Sequence, residues 1–188
     1  RAGTAQRRLM MKKRLETPML LVIDMQNVYG KGQAWECKRF EEANQNIHLL
    51  LDHVTREEVL FTKYTAAVQP VGVWKDYNRE NAAVNADPWL NDLVSDLKPY
   101  TDQYPVYEKS TYSSLENALI REKVKEKSCV IVTGVVAECC VLSTVMSLID
   151  MGIYVIYLKD AVAGIDETTE EAAIKVLEGL SPLHLKIM

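Results

Sequence analysis

Asp24, Lys109 and Cys140 are a carboxylate, an ammonium and a thiol, each set just beyond a short apolar run. A thiol becomes a nucleophile when it loses its proton. A carboxylate can take that proton and return it to a leaving group, and a lysine can keep the carboxylate ionised and oriented. Together they could attack a carbonyl carbon and pass through an acyl-thioester. Asp24 ends the run Met19-Leu20-Leu21-Val22-Ile23, and Lys109 follows Val106-Tyr107. Cys140 follows Cys129-Val130-Ile131-Val132-Thr133 across a turn and opens the next helical pattern. Anions are favoured at a helix start, so its pKa is expected to be lowered. The turn Gly134-Val135-Val136-Ala137-Glu138 offers backbone N–H groups that could hold an oxyanion.

Taken singly, these residues have plainer readings. A buried Asp after a strand usually caps it, and a lone Lys is usually solvated. The chain has four cysteines, Cys37, Cys129, Cys139 and Cys140, with no C-x-x-C pair among them. All four are expected to be reduced in a cytoplasmic protein. The adjacent Cys139-Cys140 pair leaves open a thiol redox or sensor role, although vicinal disulfides are strained. His48, His53 and His184 are scattered, and no zinc spacing is evident.

The elements that must position the three residues read as alternating strands and helices. Strands are expected at Met19–Ile23, Glu58–Thr62, Val106–Tyr107, Cys129–Thr133, Ile153–Leu158 and Leu183–Ile187. Apolar residues recur at helical spacing from Phe40 to Val54. Asp87-Pro88 starts a helix carrying Trp89 to Leu97, and Ser113 and Glu116 box a helix from Ser114 to about Lys125. Another helix follows Cys140 and stops at Gly152, and Thr168 and Glu171 cap one to about Leu180. Between Lys63 and Ala86 the sequence is irregular and aromatic, which suits a lid over a pocket. The alternation predicts an α/β fold, a three-layer sandwich around a six-stranded parallel sheet. Ligands in such sheets sit beyond the carboxyl ends of the strands, where Asp24, Lys109 and Cys140 would converge.

The 188 residues suit one domain, 18–188. Residues 1–17 are expected to be a disordered or appended extension. Residues 1–14 hold six Lys/Arg and no acid, which resembles a transit peptide but lacks the apolar stretch of a secretory signal. The net charge of -4 argues against a nucleic-acid partner, and no apolar run is long enough for a membrane.

Three ordered motifs carry a family resemblance over about Met19 to Met188. They are Leu21-Val22-Ile23-Asp24-Met25-Gln26, Glu108-Lys109-Ser110-Thr111-Tyr112-Ser113, and Thr133-Gly134-Val135-Val136-Ala137-Glu138-Cys139-Cys140-Val141, with Asp160-Ala161-Val162 beyond. The chain resembles the isochorismatase-like cysteine hydrolases, which include nicotinamidases and N-carbamoylsarcosine amidase. The resemblance implies an Asp24–Lys109–Cys140 triad and selects Cys140 over Cys139. It implies a cis peptide between Val135 and Val136, with the Val136 and Cys140 N–H groups as the oxyanion hole. It implies hydrolysis of a small amide or related C–N bond by a homodimer or homotetramer. Gln26, Tyr64, Trp74 and Tyr112 are expected substrate contacts, with Tyr77 also near the pocket.

Two departures stand out. Ala137-Glu138 occupies the place of the family's usual Thr-Asp, which removes a hydroxyl. Nicotinamidases carry an Asp-x-His metal motif after the second strand, and this chain has Tyr64-Thr65-Ala66 there. The expectation is therefore no metal and no cofactor. An isochorismatase-type ether hydrolase is the remaining alternative, which the thiol disfavours.

Overall fold

The computed structural model describes residues 2–54 and 58–188. Strand β1 spans Pro18–Ile23, β2 Glu58–Tyr64, β3 Val106–Lys109, β4 Cys129–Val135, β5 Tyr154–Ala163 and β6 Leu185–Ile187. They form a six-stranded sheet in the order β3-β2-β1-β4-β5-β6. Every neighbouring pair is parallel. The central strands are apolar runs because both faces of the sheet are covered. In β1 the side chains alternate between two cores. Met19, Leu21 and Ile23 face one, and Leu20 and Val22 face the other.

Helix α1 spans Ala2–Arg14 and α2 Phe40–His53. Phe40, Ala43, Ile47 and Leu51 of α2 pack with Leu20, Val22, Val59 and Phe61. Their i, i+3, i+4 spacing puts them on one stripe of the helix. Three short helices follow β2: α3 at Val73–Glu80, α4 at Ala82–Asn85 and α5 at Pro88–Asn91. One more turn, α6, spans Lys98–Thr101. Helices α7 (Ala118–Lys125), α8 (Leu142–Asp150) and α9 (Glu167–Glu178) complete the set. Ile120, Val124, Val145, Leu148, Ala173 and Leu177 of these three bury against the opposite face of the sheet. The three-layer α/β sandwich is the architecture the alternating pattern predicts.

Several local expectations change. Residues Ala2–Arg14 form a helix, an element the sequence pattern does not assign. Arg14 fixes the end of that helix, with its guanidinium 3.9 Å above the Tyr154 ring and a hydrogen bond to Leu183 O. The irregular stretch after β2 contains α3 and α4. The helix begun by Asp87 lasts one turn, although Asp87 does cap it by accepting the Trp89 and Leu90 N–H groups. Leu93 leaves it to bridge Gln26 as extended chain. The helix expected from Ser114 is split. Ser113 caps a short 3-10 turn, Ser114–Glu116, and Asn117 then caps α7 by accepting from Leu119 and Ile120. Asp166, not Thr168, caps α9.

Gly134 decides how closely the two site-bearing strands approach. It has φ +107, and a Cβ there would lie 2.1 Å from Ile23 O and 2.6 Å from Ile23 N. No side chain fits that contact, and the register of β4 against β5 shifts at the same place. The glycine lets the end of β4 press against the end of β1, which carries Asp24.

Candidate active site

Each of the three reactive residues sits at the carboxyl edge of the sheet. Asp24 follows β1 with φ 52, in the left-handed region that Asp tolerates better than most residues. Its N–H donates to Thr62 O, and its C=O accepts from Gln26 N–H at 2.7 Å. Lys109 is the last residue of β3 rather than the one after it. Cys140 lies in a π-helical turn, Ala137–Val141, that leads into α8. The Val135–Val136 peptide bond that enters this turn is cis.

The side chains meet in a dry place, with Asp24 0%, Lys109 2% and Cys140 4% exposed. Lys109 Nζ is 2.7 Å from Asp24 Oδ2. It donates to Cys140 Sγ at 3.4 Å and to Thr111 O at 3.0 Å. An ammonium has three N–H bonds, so all three have partners and the head group is fixed. Asp24 Oδ1 accepts the Thr62 hydroxyl at 2.8 Å. Oδ2 meets the Lys109 ammonium as its ion-pair partner, and the carboxylate lies beside the Cys140 thiol.

This geometry reverses the expected shift at Cys140. Its pKa is pushed up to about 12, first by burial and then by the negative charge of Asp24, with Lys109 pulling the other way. The helix-start argument fails because the thiol lies inside the π-turn, out of water, beside a carboxylate. For Lys109 burial acts downward, but Asp24 and Cys140 outweigh it and the pKa is raised. The resting pair is thus a neutral thiol beside an ion pair. Alkylation of Cys140 by iodoacetamide should accelerate about tenfold per pH unit from about pH 7 to pH 10. A plateau near pH 8, read by peptide mass spectrometry, would contradict the raised value.

In front of Cys140 lies a cavity of about 450 Å³. Tyr29, Trp35, Tyr77, Tyr112, Val136, Glu138 and Cys139 contribute to its walls. Of the expected substrate contacts, Tyr112 lines it. Trp74 packs edge-on to Tyr112, with ring centroids 5.1 Å apart, and backs that wall. Tyr64 is buried between the rings of Trp35 and Trp74 and lies 5.8 Å from Lys109 Nζ. Gln26 requires a correction. Its amide donates to Tyr64 O and Asn91 O and accepts from Tyr64 N–H, so a 1% exposed side chain has no group left for a substrate. Thr62, Tyr29 and Trp35 escaped the sequence reading. Only Thr62 left a trace there, as a hydroxyl directly after the apolar run Val59-Leu60-Phe61.

The sequence matches the family model of the isochorismatase domain over residues 18–183. The chain belongs to the isochorismatase family. Its fold is similar to that of a cysteine hydrolase from Pseudomonas syringae pv. phaseolicola 1448A, with TM-score 0.77, 19% identity, and 90% of this chain and 87% of that one covered. It is also similar to a nicotinamidase from Bacillus subtilis, with TM-score 0.70, 15% identity and coverages of 91% and 98%. A pyrazinamidase of Pyrococcus horikoshii in complex with zinc gives TM-score 0.67, 22% identity and coverages of 91% and 98%. At these identities the likeness establishes the fold alone. No curated protein matches the sequence.

The zinc of the last relative can be tested against the donors here. Tyr64 ends β2 with Thr65 and Ala66 just beyond it, and the Tyr64 hydroxyl is engaged with Asn78 Oδ1. Thr65 Oγ1 is buried without a partner, but a hydroxyl and a methyl group do not replace a carboxylate and an imidazole. Among the described residues, no three His, Cys, Asp or Glu side chains cluster to hold an ion. The residues present do not fit that metal. Family membership makes this isochorismatase-family protein a hydrolase. Among its described residues, no helix is long and apolar enough to cross a membrane.

Proposed function

We propose that this protein hydrolyses a small amide or related C–N bond through an acyl-thioester on Cys140, without a metal. The supporting observation is the Lys109 ammonium, 2.7 Å from Asp24 and 3.4 Å from the Cys140 sulfur, at the floor of an aromatic cavity. A thiol with so high a pKa does not ionise in advance. Asp24 therefore takes the S–H proton as the sulfur bonds to the carbonyl carbon. The negative charge moves to the carbonyl oxygen, where the N–H groups of Val136 and Cys140 would receive it. Among the described residues, Val136 N–H donates to no backbone carbonyl, so it is available for that task. Asp24 passes its proton to the leaving amine as the C–N bond breaks. Water then gives a proton to Asp24 and adds to the thioester carbonyl. The C–S bond breaks, the acid leaves and the thiol recovers its proton. Lys109 holds Asp24 in place throughout and offsets its charge.

The test is a screen of small primary amides for ammonia release, with acid quench and intact mass spectrometry of the protein. The expected result is a mass increase of one acyl group on the peptide holding Cys140, formed equally well with excess chelator. Turnover without that adduct under any quench, or loss of turnover to the chelator, would count against the scheme.

A further inference from the structure

The cavity walls carry an electrostatic imbalance. Tyr29 and Trp35 lie 5.8 Å apart between ring centroids, and Trp35 and Tyr77 lie 6.3 Å apart. With Tyr112 they present several π faces and edges to one space. The ion pairs around that space mostly cancel. Asp24 has Lys109 at 2.7 Å, Glu36 has Lys38 at 3.0 Å and Glu170 has Arg39 at 2.7 Å. Glu138 is the exception, since no ion pair to it occurs among the described residues. Its Oε1 accepts only the Ile165 N–H, at 3.1 Å. Its Oε2 is shut off from water and has no hydrogen bond at all. That oxygen is tucked against Gly164, where a Cβ would stand 2.4 Å away. The carboxylate's field reaches the cavity: the thiols of Cys37 and Cys139, which line it, are raised first by burial and next by the negative charge of Glu138.

A negative charge set in an aromatic-lined wall, with no cation of its own among the described residues, is a site for a cation supplied by the ligand. Ring faces attract ammonium groups, and the attraction grows when water is excluded. An anionic substrate would meet Glu138 unscreened. We infer that the substrate carries an ammonium group, held between the aromatic walls and Glu138, while its amide carbonyl reaches Cys140. This deepens the amide-hydrolase reading and rests on it for the second half of that statement. The plainer role for Glu138 is to brace the Ile165 turn against the π-turn. Such a brace would affect stability without making the protein prefer one ligand charge over another.

The experiment uses two ligands of the same shape, betaine amide, which is cationic, and 3,3-dimethylbutanamide, which is neutral. Calorimetric binding to the Cys140→Ala protein removes turnover from the measurement. Betaine amide should bind about tenfold or more tightly than its neutral counterpart. Glu138→Gln, introduced into the same background, keeps the Ile165 hydrogen bond and should abolish most of that preference. Tyr77→Leu should reduce it as well. Equal binding of the pair, no binding of the cation, or a preference untouched by Glu138→Gln would overturn the inference. Ammonia release by the unmodified protein is scored separately. A cation preference with no hydrolysis of either compound sinks the amidase reading and leaves the cation site standing.

Discussion

Cys140→Ala should lower amide turnover by at least about 10⁴-fold and leave the fold intact. Nucleophile removals in triad hydrolases cost this much or more, because the remaining groups cannot replace the covalent step. The substitution removes one buried sulfur atom from the cavity floor, so only a small change in unfolding midpoint is expected. Far-UV circular dichroism and thermal denaturation report the fold, and ammonia release reports turnover. Cys139→Ser is the informative companion. Cys139 is more exposed than its neighbour and makes no bond to Lys109 or Asp24. It should retain most activity. Equal damage from the two substitutions would favour a paired-thiol redox role instead.

Lys109→Met should be the most destabilising single change at the site. It leaves the Asp24 carboxylate buried without its counter-charge, and breaking such a pair from one side costs about 3–5 kcal/mol. Activity should vanish with it, since the Thr62 hydroxyl on Oδ1 is then the one side-chain contact described for Asp24 besides the thiol, and no positive charge offsets the carboxylate. The double variant Asp24→Asn, Lys109→Met removes both charges and should recover much of the lost stability, though none of the activity. Urea denaturation of the single and double variants measures this directly. A single-variant cost below about 1 kcal/mol would show that the pair is not desolvated as it stands.

The sheet was readable because its period is simple. Unbroken apolar runs such as Met19–Ile23 and Cys129–Thr133 have few alternatives, and a reactive residue just beyond a run must lie at one edge. Asp24, Lys109 and Cys140 were therefore visible as a set. Helix ends were less so. Asn117 restarts a helix that Ser113 and Glu116 had seemed to begin, because a local side-chain cap competes with a similar one a few residues earlier. The direction of the Cys140 shift was illegible for a different reason. Sequence reveals a helix start, but the burial and the nearby carboxylate that dominate the shift arise only in three dimensions. Tyr29 and Trp35 reach the cavity from a segment with no period at all, between β1 and α2. Gln26 misled by proximity, since standing two residues from Asp24 does not point a side chain toward the substrate.

That same Gln26 has a further consequence. Its amide behaves like an extra peptide unit, closing hydrogen bonds to both the N–H and the C=O of Tyr64 and to Asn91. The seam between the sheet edge and the segments that carry the aromatic walls is thereby closed with backbone-like bonding that does not depend on which side chains line the cavity. Wall residues can be exchanged while the seam, and the Asp24 carboxylate beneath it, stays put.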